Sequence, residues 1–212
     1  PIFRMPRINA AGRMGKAELA AELFLTKDPV RAQALAAELC EQNKLRQNEE
    51  NKILEQTLTR LRREYNPLED KIIVLAGEGW HQGVIGIVCS RLCDRYGCPV
   101  VLISVDEDGV GKGSGRSIGS FNLFEALTSC EDLFERYGGH ALAAGLTVQA
   151  DRIEELRTRL RKYAETHVTM AELVPQLHID CMVQSEWLTQ ENIESLSVLE
   201  PYGMKNAEPV FC

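Results

Sequence analysis

The spacing of apolar residues changes character twice along the chain. Residues 16–26 (Lys-Ala-Glu-Leu-Ala-Ala-Glu-Leu-Phe-Leu-Thr) are dense in strong helix formers and predict a first helix. Asp28-Pro29 reads as an N-cap followed by proline at the first helical position, and nothing breaks the helix before Asn66-Pro67. In this long helix Leu35 and Leu39 make an apolar stripe at one end, and Leu54, Leu58, Leu61 and Tyr65 another at the other end. Between them Arg46 to Lys52 is almost wholly polar. A helix apolar at its ends and polar all round in its middle bridges two bodies across solvent. At ~1.5 Å per residue this bridge runs about 55 Å. A coiled coil is the alternative, and the interrupted heptad pattern counts against it.

After the bridge, short apolar runs alternate with helical periodicity. Lys71–Ala76 and Val100–Val105 predict buried strands, separated by a helix over Val84–Tyr96 that Gly97 and Pro99 end. The turn Asp106-Glu107-Asp108-Gly109 leads into a third, glycine-rich strand, Gly111–Ser117. Helices are predicted at Leu123–Tyr137 and Asp151–His167, with a short strand at Leu146–Val148 between them. The expected fold class is α/β, a mixed sheet flanked by helices and preceded by a long interdomain helix. From Leu177 the pattern shifts again, to a short strand over Leu177–Met182, a helix from about Thr189 and a Pro201-Tyr202-Gly203 turn. Pro1 where an initiator Met would stand, and Val210-Phe211-Cys212 reading as a strand just starting, make a fragment of a longer protein the expectation.

Composition narrows the function. With 212 residues, 44% hydrophobic and 26% charged, the chain can bury a core without staples. It has no run approaching the ~20 apolar residues of a membrane helix and no secretion signal, so the cytoplasm is the expected compartment. Seven cysteines, an odd number spread over different elements, read as reduced and mostly buried thiols. Cys89 and Cys93 share a helix face, but no Cys-x-x-Cys occurs and no His stands nearby at metal-ligand spacing except His81, eight residues upstream. A net charge of −7 excludes indiscriminate, histone-like coating of DNA. The basic groups are placed rather than spread. Arg4, Arg7, Arg13 and Lys16 precede the first acid, Glu18, and Lys112 and Arg116 are the only charges between Asp108 and Glu125.

The glycine-rich stretches do not make a nucleotide site. Around Lys112 the P-loop spacing fails, because Asp106 holds the first glycine position and Gly113 the Ser/Thr position. Gly77-Glu78-Gly79 follows a strand, but the third glycine of a Rossmann turn falls one residue late, at Gly83. Three other patterns suit phosphate. In Gly111-Lys112-Gly113-Ser114-Gly115-Arg116-Ser117, glycines at alternate positions bare one strand face for a close approach, and Arg116 beside Ser117 offers a donor fork and a hydroxyl. In Gly138-Gly139-His140, at the end of a predicted helix, backbone N–H groups and an imidazole suit an anion nest. Arg7, Asn9 and Arg13 lie in an acid-free segment.

These stretches, with Gly79-Trp80-His81-Gln82-Gly83 and Leu199-Glu200-Pro201-Tyr202-Gly203, resemble in order and separation the RecJ-type exonucleases of the DHH superfamily. The resemblance implies 5′-to-3′ degradation of single-stranded DNA in recombination and repair, with Mn²⁺ or Mg²⁺ held in an upstream catalytic domain. No Asp-His-His motif occurs here, so no catalytic or metal residue is expected in this chain. The implied organisation is the tail of the catalytic core (1–27), a connecting helix (28–66), a DHH-associated nucleic-acid-binding domain (67–168), and a linker with the start of an OB-fold domain (169–212). The implied nucleic-acid contacts are Arg116, Ser117, Gly138, Gly139, His140, Arg7, Asn9, Arg13 and His81, the last of which also reads as a helix cap. Two rival readings remain. One is a related phosphodiesterase acting on short RNA or cyclic dinucleotides; the other is a non-enzymatic nucleic-acid-binding accessory module.

Overall fold

The computed structural model describes residues 5–67, 69–119, 121–173, 177–203 and 205–212; Arg4 lies outside them. The chain divides into two compact units, the first ending at residue 174.

In the first unit, α1 (Met5–Arg13) and α2 (Ala17–Leu25) pack on the start of α3 (Pro29–Glu64) through Ala11, Leu19, Ala20, Leu35 and Leu39. The Asp28 carboxylate accepts from the Val30 N–H at 2.9 Å and caps α3, with Pro29 just inside the helix as expected. The polar middle of α3 departs from the expectation of an open span. Glu50 is only 8% exposed and receives ion pairs from Arg46 on its own helix and from Arg91 at 2.9 Å. Ile53, Thr57 and Leu61 are buried beyond it. The open part of the bridge is therefore shifted toward the N-terminal half of α3, with no buried side chain over residues 41–49, and contact with α4 begins within the polar run, at Glu50. A charged side chain is buried at low cost only where partners wait for it, and the partner Arg91 lies 41 residues away in the chain, so helical periodicity could not reveal the contact.

A five-stranded sheet follows, in the order β1 (Ile73–Glu78), β2 (Val100–Val105), β3 (Val110–Arg116), β5 (Ala143–Gln149), β4 (Phe134–His140). β1 and β2 are parallel, joined across α4 (Gln82–Tyr96); every other pairing is antiparallel. The mixed sheet of the α/β expectation is thus present. α4 and the end of α3 cover one face through Val84, Val88, Leu92, Ile53 and Leu61. α5 (Leu123–Thr128) and α6 (Ile153–His167) cover the other through Leu123, Leu127, Leu156 and Leu160. Along the β1 edge, Arg157 Nε donates to the Val74 carbonyl at 3.0 Å and Arg60 to that of Ala76, which satisfies edge acceptors that would otherwise invite another strand.

The sequence reading fails at Leu123–Tyr137. α5 stops at Thr128, and residues 134–140 form the edge strand β4. The Thr128 and Ser129 hydroxyls donate back to the carbonyls of Phe124 at 2.9 Å and Ala126 at 2.7 Å, local bonds that compete with helix propagation. Pairing with β5 then satisfies the inner backbone edge of β4, and the Tyr137 ring packs on those of Phe124 and Phe134. β5 is likewise longer than the expected Leu146–Val148, because its small residues are held between two strands.

Cys89, Cys93, Cys98 and Cys130 are buried free thiols, Cys40 is half-buried, and Cys181 and Cys212 are exposed. Burial pushes Cys89 up to about 12, so it stays protonated at neutral pH. In the second unit, α7 (Gln190–Ser195) is capped by Thr189, whose hydroxyl accepts from the Asn192 N–H at 3.2 Å. The strand expected at Leu177–Met182 is reduced to one bridge, Cys181 to Phe211, because only residues 210–212 pair beside it.

Candidate nucleic-acid interface

The glycines of β3 do not bare a face for a ligand. A Cβ on Gly111 would stand 2.8 Å from Ile103, one on Gly113 2.8 Å from Leu146, and one on Gly115 2.7 Å from Leu123. The close approach inferred from alternate glycines is real, but the chain's own core makes it. The opposite face carries Lys112, Ser114 and Arg116, at the intervening positions.

Arg116 is half-buried on the flank of α4. Its Nη1 donates to the Gly115 carbonyl at 2.7 Å and to Ser114 Oγ at 3.3 Å. Gly86 of α4 lies alongside, where a Cβ would come within 2.9 Å of Ser114 Oγ and 3.2 Å of Arg116 Nη2. One turn earlier Gly83 meets the end of α1. Arg13 Nη1 donates to the Gly83 carbonyl at 3.3 Å, and a Cβ on Gly83 would stand 2.1 Å from the Arg13 carbonyl oxygen. Arg13 and Arg116 thus contact adjacent turns of α4, about 5 Å apart along its axis. His81 sits at the N-cap, its Nδ1 accepting from the Gly83 N–H at 3.1 Å.

Across the sheet, Arg116 pairs in register with Ala143, which pairs with His140. Residues opposite one another share a face, so the Arg116 and His140 side chains rise from one surface with only an alanine between them. At ~4.8 Å per strand their Cα atoms are about 10 Å apart. His140 is exposed, and its Nδ1 accepts from the Leu142 N–H at 3.3 Å. In the neutral ring that leaves Nε2 as the donor, pointing away from the turn.

Other expected contacts land differently. Gly138 and Gly139 lie in β4, not at a helix end. Successive N–H groups of a strand point to opposite edges, so the nest geometry is replaced by a floor without side chains. Ser117 donates its hydroxyl to the Phe121 carbonyl at 2.7 Å, tying down the loop into α5. The hydroxyl beside Arg116 is that of Ser114, which the two-residue period of a strand could have identified. Arg7 is half-buried and lines a cavity of about 430 Å³ with Ile8, Leu23, Phe24, Ala36, Leu39 and Cys40, apart from Arg13. Asn9 is exposed on α1. Among the described residues no group of three or more His, Cys, Asp or Glu side chains is placed to hold a metal ion. This stretch therefore does not fit a Mg²⁺ or Mn²⁺ centre. No helix among the described residues is long and apolar enough to cross a membrane.

Residues 69–166 match the DHHA1 domain, the span of the sheet and its helices. The chain is 39% identical over 205 residues to the single-stranded-DNA-specific exonuclease RecJ of Bacillus subtilis, covering 96% of this chain and 26% of that protein. It also resembles crystal structures of Thermus thermophilus RecJ. The complex with Mg²⁺ matches with a TM-score of 0.85 and 38% identity over 97% of this chain and 31% of that one. The complex with Mn²⁺ matches with a TM-score of 0.86 and the same identity, over 97% and 30%. The chain thus spans about a quarter to a third of the length of these relatives.

Proposed function

We propose, from the premise that this chain is a RecJ-like segment carrying a DHHA1 domain, that it grips the phosphate backbone of single-stranded DNA within a 5′-to-3′ exonuclease of recombination and repair. In that reading residues 1–27 close the catalytic core, 28–66 connect, 67–168 bind the strand and 169–212 begin an OB-fold domain. The cytoplasm is the compartment. The observation that carries the reading is the row Arg116–Ala143–His140. A guanidinium fork with a hydroxyl beside it, and an imidazole N–H about 10 Å away, stand on one face with nothing bulky between them. Arg13 and His81 at the start of α4 extend that donor set toward the catalytic core, and Asn9 and Arg7 lie beyond on α1. A phosphate grip carries no base information, which suits an enzyme that must digest any sequence. The connection through α3 and the match across both units favour this over an enzyme for short RNA or cyclic dinucleotides.

Arg116 tests the reading. Arg116→Ala is expected to weaken binding of every single-stranded sequence by about tenfold, the lower range for a charged hydrogen bond. The salt dependence should flatten by roughly 0.7 in slope, one neutralised phosphate on a single strand. Arg116→Lys restores part, since an ammonium keeps the charge but not the fork. Anisotropy titrations on homopolymers of different base over a range of salt would show both effects. Unchanged affinity with a lower melting temperature would make Arg116 structural.

The chain is also expected to leave single-stranded DNA intact with Mn²⁺ or Mg²⁺ present, because two-metal hydrolysis needs a shared set of carboxylate and imidazole ligands and the Asp-His-His motif that supplies it in the family does not occur in this sequence. The ions belong to the upstream catalytic domain. Metal-dependent degradation that co-purifies with the chain and vanishes in a point variant would overturn this expectation.

A further inference from the structure

On the Arg116 face, four residues along the strands, lies a second row of the same design. Lys112 of β3 pairs with Thr147 of β5, which pairs with Arg136 of β4. Lys112 and Arg136 are both exposed, stand about 10 Å apart across the sheet, and lie roughly 13 Å from the Arg116–His140 row. The row between the two is Ser114–Gly145–Gly138. A Cβ on Gly138 would meet nothing within 4 Å, and one on Gly145 only the Gly113 carbonyl oxygen at 3.7 Å. The result is a shallow basin of about 360 Å³, lined by Lys112, Arg136, Gly138, Gly145 and Thr147 among others. Its floor is bare backbone and its two walls are cationic stems.

The carboxylates of Asp106 and Glu135 are engaged elsewhere: Asp106 Oδ1 accepts from the N–H groups of Asp108 at 3.1 Å and Val110 at 2.9 Å, and Glu135 accepts from the Gln149 amide. Lys112 and Arg136 form no ion pair among the described residues. Two free cations across a side-chain-free floor fit a phosphodiester with its sugar lying flat on the glycines. They fit neither an apolar ligand nor a metal ion.

We propose that Lys112 and Arg136 form a second phosphate subsite, which holds a nucleotide farther along the same single strand than the one at Arg116 and His140. The inference rests on the phosphate-grip reading and adds a direction to it. The DNA strand runs lengthwise along β3, β5 and β4 from the Arg116 row to the Lys112 row, over the glycine floor. These residues therefore contribute to retention of long strands and not to capture of a short one.

The test is a length series of oligothymidylates titrated against this chain, comparing Lys112→Ala/Arg136→Ala with Arg116→Ala. Affinity should rise with length until the oligomer reaches the second row. The double variant should lose that rise, by about tenfold on the longest oligomers, and should bind the shortest ones normally. Its salt slope on long oligomers should fall by roughly 1.4, two contacts at 0.7 each. If Arg116→Ala weakens binding at every length and the double variant binds long oligomers normally, the second subsite is wrong and the first reading stands. If neither variant changes binding, the phosphate grip itself is wrong. Should the alanine pair melt early, Lys112→Gln/Arg136→Gln keeps the stems, removes the charges and supports the same comparison.

Discussion

Gly139→Ala is expected to cost about 3 kcal/mol and to lower the melting temperature by roughly 10 °C, while Gly138→Ala melts normally. The two glycines are neighbours in β4 and identical in composition terms, yet their surroundings differ. Gly139 has φ +148, which an L side chain rarely adopts, and a Cβ there would stand 2.3 Å from the Ala143 carbonyl oxygen and 2.6 Å from Ala144 Cα. Those contacts are backbone, so relief requires the β4–β5 pairing to open. Gly138 looks onto open space. Its substitution should stay within about 0.5 kcal/mol, the usual range for a surface change. Any loss of DNA binding by Gly138→Ala then reports on the floor of the interface and not on the fold. Thermal denaturation of the two variants decides the matter. Equal melting temperatures would mean that the tight β4–β5 contact at Gly139 is absent in solution.

Glu50→Gln should destabilise the chain by about 2 kcal/mol, or roughly 5 °C in melting temperature. Glu50 anchors α3 to α4. It accepts from Arg46, which is 13% exposed, and from Arg91, which is 49% exposed. Removing one partner of a fully buried pair costs ~3–5 kcal/mol, and the exposure of Arg91 to water reduces that figure. Amide exchange in α3 should quicken around residues 46–53, since the tie to α4 is lost while the apolar contacts of Ile53 and Leu61 remain. Glu50→Leu should do no better, because Arg46 keeps its charge in a largely buried place without a counter-ion, with only the neutral Asn43 Oδ1 left to accept from it at 3.4 Å. A Glu50→Gln variant that melts within a degree of the parent would return the middle of α3 to a solvated bridge.

Much of the fold was legible from local chemistry. The cap at Asp28-Pro29, the Gly97 stop of α4 and the β-branched run of β2 each act within a few residues, so pattern reading found them. The helix expected at Asp151–His167 is α6 to within two residues, and its buried residues Ile153, Leu156, Leu160 and Ala164 line one face. Charge placement singled out Arg116 and Lys112 before any geometry was known. The family resemblance rested on short ordered motifs, each local in the sequence, although Gly203-Met204-Lys205-Asn206 departs from the glycine-rich turn of the family and no Asp-His-His occurs.

Tertiary structure decided the rest, wherever a residue's role depends on what lies across from it. Residues 134–137 favour a helix locally and become a strand because β5 supplies a ladder. Glu50 reads as solvated until Arg91 meets it from 41 residues away. The alternate glycines of β3 signal a close approach, but only the fold shows that Ile103, Leu146 and Leu123 make it. Arg116, His140, Lys112 and Arg136 come from two strands that do not pair with each other and are joined in register by β5 between them. Sequence fixes which donors exist through the chemistry of each side chain. Strand order fixes which of them share a face, because that depends on pairing between distant segments.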